Sequence, residues 1–297
     1  MATEETAADS TASGEWTVRK VLDWSIDHFK KNGSDSPRLD AEVLLAHARG
    51  CQRIQLYTQY DQPLTDQQRA VMRDLVKRRV NAEPVAYLVG HREFFSLDFV
   101  VNRDVFIPRP DTETLVMSAL DAARELPQPK ILDLCTGSGC VAIAIAVNAR
   151  KSQVTAVELH PATAKVTRQN IERHGMESRV SLLEGNLFEP LPKGARFDLI
   201  VSNPPYVTTG EMAGLDPDVR HEPTRALDGG TDGLDIIRLL IQQAPNHLHD
   251  GGWLMLELSP EQAPETMNLF TQRGFQQVGA VNDLSGQARV VQGRWTE

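Results

Sequence analysis

The segment Asn203-Pro204-Pro205-Tyr206 carries the sharpest chemical signal in the sequence. It closes the apolar run FDLIVSN. A strand that meets Asn-Pro-Pro cannot continue as a strand or enter a helix easily, because proline lacks an N–H and restricts the residue before it. A rigid turn results. In such a turn the Asn203 side-chain oxygen and the Pro204 carbonyl oxygen can each accept one N–H of a planar NH₂ group. Tyr206 can pack its ring against that plane and keep its hydroxyl free to bond. An amide-type nitrogen is a poor nucleophile because its lone pair is delocalised, so holding both N–H bonds toward an electrophile is the help it needs. On its own the segment also reads as a proline turn ending a core strand.

A second constellation supplies the electrophile. Asp133 and Leu134 close the apolar run KILDL, and Cys135, Thr136, Gly137, Ser138 and Gly139 follow it and open a helix-like stretch. Glycines there let the chain turn sharply and let a ligand approach the main chain. About 20 residues on, in the spacing expected of an adenosine-binding unit, Glu158 ends the run VTAVEL. Its carboxylate can accept both hydroxyls of a ribose. Nicotinamide sites use the same topology, but they seat a pyrophosphate over the helix N-terminus and keep a third glycine for close helix packing. Here Cys140 stands near that third position and Asp133 ends the strand. An acid there suits the amino group of a methionine moiety better than a phosphate. The cofactor expected is S-adenosylmethionine, whose methyl sulfonium needs no strong general base opposite it.

The elements that must position these groups are legible as a rhythm. From Lys130 onward, KILDL, VTAVEL, VSLLEG, FDLIVSN and GWLMLEL alternate with helical stretches or loops, which predicts βαβ units around a mostly parallel sheet. QQVGAVND and RVVQGRW predict two more strands joined by a turn at Ser285-Gly286. Residues 15–90 read as a helical domain. Thr17 caps a helix carrying Val18, Val21, Leu22 and Phe29; Ser36-Pro37 opens one carrying Leu39, Val43, Leu44 and Leu45 up to Gly50; Thr65 opens one carrying Val71, Met72, Leu75 and Val80. Arg73, Lys77, Arg78 and Arg79 cluster on the last, as a solvated face or a contact to a partner. In the linker, residues 91–110, the run Phe94–Val101 is broken by Asn102-Arg103-Asp104 and resumes at Val105–Ile107, which predicts a β-hairpin bridging the two domains. Pro108 and Pro110 stiffen its exit, and a helix begins near Asp111. The catalytic domain is then residues 111–297.

The net charge of −9 argues against a chain that grips nucleic acid by its phosphates. Three cysteines, Cys51, Cys135 and Cys140, lack zinc-site spacing and read as reduced thiols of a cytoplasmic protein. No metal and no membrane span are expected, and residues 1–14 read as an acidic disordered tail.

With these motifs in place the sequence resembles the HemK/PrmC family of protein glutamine methyltransferases. EPVAYLVGHREFFSLDFVVNRDVFIPRPDTETLV is similar to the family's linker and entry segment. ILDLCTGSGC, EGNLFEPLP, FDLIVSNPPYV, RHEPTRALDGGTDGLD and RVVQGRW follow in the family's order. The resemblance implies a class I, Rossmann-like methyltransferase with a seven-stranded sheet, a small all-α N-terminal domain that helps dock the substrate and a β-hairpin linker. It implies methyl transfer to the glutamine of the Gly-Gly-Gln loop of peptide chain release factors by a cytoplasmic, monomeric enzyme. Cys135, Thr136, Gly137, Ser138 and Gly139 match the cofactor loop, Glu158 the ribose acid, Asn186 and Leu187 the segment beside the adenine, and Asn203 to Tyr206 the substrate turn. Phe106 and Arg109 are expected to border the glutamine pocket. Arg109 either bonds the backbone of the substrate loop or pairs with an acid such as Glu113. Three departures stand out: Cys135 replaces a usual glycine, Glu158 the commoner Asp, and Asn186 an acid.

Rival substrates are a glutamine in a large-subunit ribosomal protein, whose enzyme also carries a CTGSGC-like loop, and adenine in DNA. The IPRPDTE segment fits the release-factor enzyme better. A DNA enzyme must flip its base and hold the duplex, and neither a basic stripe nor a target-reading domain is present in the sequence. A helical docking module with an inactive methyltransferase fold is a further reading, against which the intact Asn-Pro-Pro-Tyr speaks.

Overall fold

A computed structural model describes residues 15–297; the expected acidic tail, residues 1–14, lies outside them. The chain divides into two compact units, one ending at Val89 and the other beginning at Gly90.

The first unit is helical: α1 (Val18–Lys31), α2 (Pro37–Arg49), α3 (Arg53–Thr58), α4 (Asp66–Val80) and α5 (Val85–Val89). Thr17 accepts the Lys20 amide at the start of α1, and Thr65 and Gln68 form a capping box on α4. Each cap satisfies N–H groups that the first turn leaves without partners. Val18, Leu22, Phe29, Leu44, Leu45, Leu56 and Leu75 meet in its core. Leu39 and Val71, expected on the apolar sides, are exposed instead, while Ala41 and Val76 are buried. Leu39 sits two residues before Ala41, which is the opposite side of a helix. The basic group on α4 is divided. Arg78 holds Glu83 through two bonds of 2.9 and 2.8 Å, and Arg79 holds the buried Asp40 at 2.8 Å, leaving Arg73 and Lys77 exposed.

The second unit opens with a hairpin, β1 (His91–Phe94) and β2 (Leu97–Val100), paired antiparallel. Its turn is Phe95–Ser96, both left-handed at φ 50° and 60°. The sequence reading placed the break at Asn102–Asp104 and an extended return at 105–107; the structure moves it into the apolar run itself. A two-residue turn of this hand normally announces itself with Asn or Gly, and here a phenylalanine and a serine adopt it. After a 3₁₀ turn at Pro110–Thr112 comes α6 (Glu113–Ala123). The alternation follows: β3 (Lys130–Leu134), α7 (Cys140–Asn148), β4 (Gln153–Glu158), α8 (Pro161–Arg173), β5 (Val180–Glu184), β6 (Phe197–Ser202), α9 (Asp235–Gln243), β7 (Leu248–Glu257), α10 (Ala263–Arg273), β8 (Gln276–Asn282) and β9 (Ala288–Arg294).

The seven-stranded sheet runs β5-β4-β3-β6-β7-β9-β8, parallel except at β9, which is antiparallel to both neighbours. Helices α6, α7 and α8 contribute to one apolar cluster with the sheet, α9 and α10 to the other. Covered on both faces, the central strands are continuously apolar rather than alternating. The chain leaves β3 toward β4 and returns on its other side as β6, so a crevice opens at the carboxyl ends of these strands, where ligands bind in such sheets.

Candidate active site

A cavity of about 630 Å³ occupies that crevice. Its size and mixed lining suit a nucleoside-sized cofactor together with an inserted side chain.

At one end the loop after β3 takes left-handed backbone at Cys135 (φ 59°), Gly137 and Gly139. Cys135 thus holds a backbone that favours glycine, at a steric cost of roughly 1–2 kcal/mol. A Cβ on Gly139 would stand 2.9 Å from Thr167 Cγ2, so α8 closes over the loop only because that position is bare. Thr167 donates to the Gly137 carbonyl at 2.6 Å. Asn170, fully buried on α8, donates to the carbonyls of Ser138 and Val100 and accepts the Val100 amide, tying the hairpin to the loop.

Asp133 Oδ2 accepts the Thr136 hydroxyl at 2.6 Å and the Ala142 amide at 3.2 Å, while Oδ1 takes no hydrogen bond from the described residues. Burial pushes the Asp133 carboxyl up to about 7 against those two bonds. Glu158 accepts the amides of Gly137 (3.1 Å) and His160 (3.0 Å), one on each oxygen. Burial raises its carboxyl too, and the His160 and Gly137 amides oppose the shift. Asn186 donates its amide N–H to Glu189 at 3.0 Å, which leaves its oxygen as the free acceptor; Leu187 beside it is buried with φ 45°. Both border the cavity. The Ser138 hydroxyl is buried there without a partner among the described residues. Two buried carboxyls, one with an unused oxygen, and an orphaned hydroxyl fit a cationic adenosine cofactor. A dinucleotide pyrophosphate would meet two acids. The thiols of Cys135 and Cys140 are both pushed up to about 12 by burial, so neither is a nucleophile.

At the other end Asn203, Pro204, Pro205 and Tyr206 border the cavity together with Phe106 and Pro108. Asn203 Nδ2 donates to Thr112 Oγ1 at 3.2 Å, and Thr112 Oγ1 lies 3.2 Å from Glu257 Oε1. Neither Asn203 Oδ1 nor the Pro204 carbonyl accepts a hydrogen bond from the described residues. The turn is braced from behind: Val207 donates to the Leu227 carbonyl, Gly229 to the Val207 carbonyl, and Gln262 Nε2 to the Tyr206 carbonyl, each at 2.8 Å. Burial raises the Tyr206 phenol well above its ordinary value, so it stays protonated.

Phe106 borders the cavity as expected and Arg109 does not; of the two readings of Arg109, the structure shows the ion pair, with a different acid. Its guanidinium pairs with buried Glu222, not Glu113, and stacks 4.9 Å from the Phe106 ring. Glu113 instead accepts the Phe95 amide of the hairpin turn at 3.0 Å. Glu222 also takes the Ile107 amide at 2.9 Å, so the RHEP segment holds the linker exit by its backbone. Glu222, Asn170, Thr112 and Glu257 were not singled out from the sequence. Thr112 and Glu222 lie inside IPRPDTE and RHEPTRALDGGTDGLD, and Glu257 is the one acid in the otherwise apolar run GWLMLEL.

Two families match the chain: the PrmC N-terminal domain over residues 20–90 and the methyltransferase small domain over residues 102–216. The sequence is 44% identical over 290 residues to the release factor glutamine methyltransferase of Rhodopirellula baltica, covering 96% of this chain and 98% of that one. To the enzyme of that name in Geobacter sulfurreducens it is 46% identical over 280 residues, covering 94% and 97%. Among solved structures, the catalytic domain of hMettl16 in complex with the MAT2A 3'UTR hairpin 1 superposes with a TM-score of 0.57 at 15% identity, over 69% of this chain and 76% of that one. A methyltransferase from Pyrococcus furiosus gives 0.50 at 18% identity, over 69% and 91%. At such identities the two structures speak for the class I methyltransferase fold alone.

Proposed function

The chain belongs to the release factor glutamine methyltransferase family, and from that premise we infer that it methylates the side-chain amide nitrogen of the glutamine in the Gly-Gly-Gln loop of peptide chain release factors. The methyl donor is S-adenosylmethionine, which when bound supplies an electrophilic methyl group on a sulfonium.

The observation that carries the site assignment is the pair of unused acceptors, Asn203 Oδ1 and the Pro204 carbonyl, on a turn braced from behind. We propose that they take the two N–H bonds of the glutamine amide and hold its nitrogen toward the donor. Fixing both N–H directions favours a pyramidal nitrogen and removes the orientational part of the barrier. Tyr206, Pro205 and Phe106 enclose the amide and its methylene groups. Asp133 Oδ1 receives the amino group of the cofactor, Glu158 its ribose hydroxyls, and Asn186 and Leu187 flank its adenine, in a loop shaped by Cys135, Thr136, Gly137, Ser138 and Gly139. The nitrogen gains a carbon and sheds one proton to solvent, so no strong base has to stand beside it. Substrate docking falls to the helical residues 15–90.

No helix among the described residues is long and apolar enough to cross a membrane, and all three cysteines are free. Free thiols support placing the chain in the cytoplasm.

Methyl transfer from labelled S-adenosylmethionine to purified release factor, ribosomal protein and duplex DNA tests this function. Label is expected on the release-factor glutamine and is lost when that glutamine is replaced. Label on the ribosomal protein or DNA with none on the release factor would overturn the substrate.

A further inference from the structure

The side-chain amide of Asn203 has two ends of nearly equal size and opposite hydrogen-bonding sense. The function proposed above needs the oxygen to face the cavity, and shape alone does not choose it. The choice falls to Thr112, which lines the cavity beside Asn203, and to Glu257 beyond it. Thr112 Oγ1 lies between Asn203 Nδ2 and Glu257 Oε1, 3.2 Å from each. Thr112 is 2% exposed and Glu257 is 1% exposed, so no bulk solvent competes for these bonds.

We propose that Thr112 and Glu257 are positioning residues for Asn203, forming a directional chain that holds the Asn203 oxygen toward the substrate only while Glu257 is ionised. The proposal rests on the reading of Asn203 as the acceptor of a substrate N–H. An ionised carboxylate accepts and never donates, so the single hydroxyl proton of Thr112 must go to Glu257. The Thr112 oxygen can then only accept, and the Asn203 group facing it must be the NH₂. Once Glu257 is protonated the chain can run backwards. Glu257 then donates to Thr112, Thr112 donates to Asn203 Oδ1, and the Asn203 NH₂ turns toward the substrate NH₂. Two donors then face each other and the glutamine amide is no longer held.

Glu257 is well placed to change state in the working range. The Asn203 amide also reaches its carboxylate directly, and Oε2 makes no other hydrogen bond among the described residues. Arg289 on β9 favours the ionised form, but that guanidinium also holds Asp283 and Asp111, each at 3.3 Å. Asp111, in the 3₁₀ turn, opposes ionisation. The Tyr206 phenol and the Cys140 thiol face the same region and stay neutral. Burial dominates and pushes the Glu257 carboxyl up to about 7.

The test is steady-state turnover of the full chain on purified release factor at saturating S-adenosylmethionine, from about pH 5.5 to about pH 9. Saturating cofactor keeps the Asp133 carboxyl out of the kcat profile. Wild-type kcat is expected to climb through an acidic limb near pH 7. Thr112→Val should lower kcat about 10- to 100-fold, lose that limb, and leave cofactor Kd and release-factor KM within about twofold. Thr112→Ser should restore both rate and limb, which a packing role would not require. Glu257→Gln, which cannot ionise, should show no limb either. A Thr112→Val enzyme with wild-type kcat and limb, beside an inactive Asn203→Ala, would overturn the relay and leave the role of Asn203 standing. Wild-type turnover by Asn203→Ala would instead remove the reading beneath both.

Discussion

The Arg109 guanidinium rests against the Glu222 carboxylate, which lies in the long segment between β6 and α9. The contact fastens the exit of the hairpin to the loop that also braces the Asn203 turn. Glu222 is 4% exposed and burial raises its carboxyl; the Arg109 charge and the Ile107 amide hold it down.

Arg109→Ala is therefore expected to act on stability first. It strands a buried acid that keeps one backbone N–H, at a cost on the order of 1–3 kcal/mol after allowing for the partial exposure of Arg109. Urea unfolding of Arg109→Ala, Glu222→Gln and the double variant checks this. The double variant should lose less than the sum of the singles. Additive losses, or a rise in release-factor KM at unchanged stability, would return Arg109 to a direct contact with substrate.

Asp133 gives a pH dependence with a definite sign. Its carboxyl is raised from 3.8 to about 7 in the fold, so between those limits the folded state binds more protons than the unfolded chain. Its contribution is fully present below the unfolded value and is lost as pH rises through the folded one. Unfolding free energies of the cofactor-free protein near pH 5 and near pH 8 should fall more in wild type than in Asp133→Asn, by on the order of 1–3 kcal/mol. An equal fall in both would mean that Asp133 is ionised throughout.

How much of this could be read beforehand follows from what each feature demands of its own residues. The central strands were legible because burial on both faces makes them continuous apolar runs, and the Asn203 turn because proline restricts its neighbour wherever it sits. The turn at Phe95–Ser96 was not, since neither residue type advertises a left-handed backbone. Helices α3 and α5, of six and five residues, are too short to show a period. The brace on Asn203 was hidden for another reason. Thr112 stands 91 residues from Asn203 and 145 from Glu257, and only the sheet order brings the three together.

The glycines of RHEPTRALDGGTDGLD gain a specific role from that geometry. A Cβ on Gly229 would stand 2.7 Å from the Pro205 carbonyl oxygen and 2.8 Å from Tyr206 Cα, both backbone atoms of the Asn203 turn. Gly229→Ala should displace the turn and cut kcat by about 10-fold or more, since small misplacements of reacting groups are costly. Cofactor affinity, measured by calorimetry, should change little. A loss confined to cofactor affinity would show that the segment supports the cofactor loop instead.

Glu158 is the most demanding case, because it holds the loop and, in the proposed function, the cofactor as well. Its two oxygens already take the Gly137 and His160 amides, and each keeps a lone pair for a ribose hydroxyl. Bonds of this kind to a charged group contribute about 1.5–3 kcal/mol each, with overlap between them. Glu158→Ala should thus weaken S-adenosylmethionine binding by about 100-fold or more, through lost ribose bonds and a slackened loop. Glu158→Gln separates charge from reach: it retains one acceptor oxygen and should fall between alanine and wild type. Glu158→Asp retains the charge on a shorter arm that cannot meet both amides and both hydroxyls, and it too should be intermediate. Equilibrium binding of the cofactor to the four proteins decides the order, and an alanine variant that binds like wild type would remove Glu158 from the site.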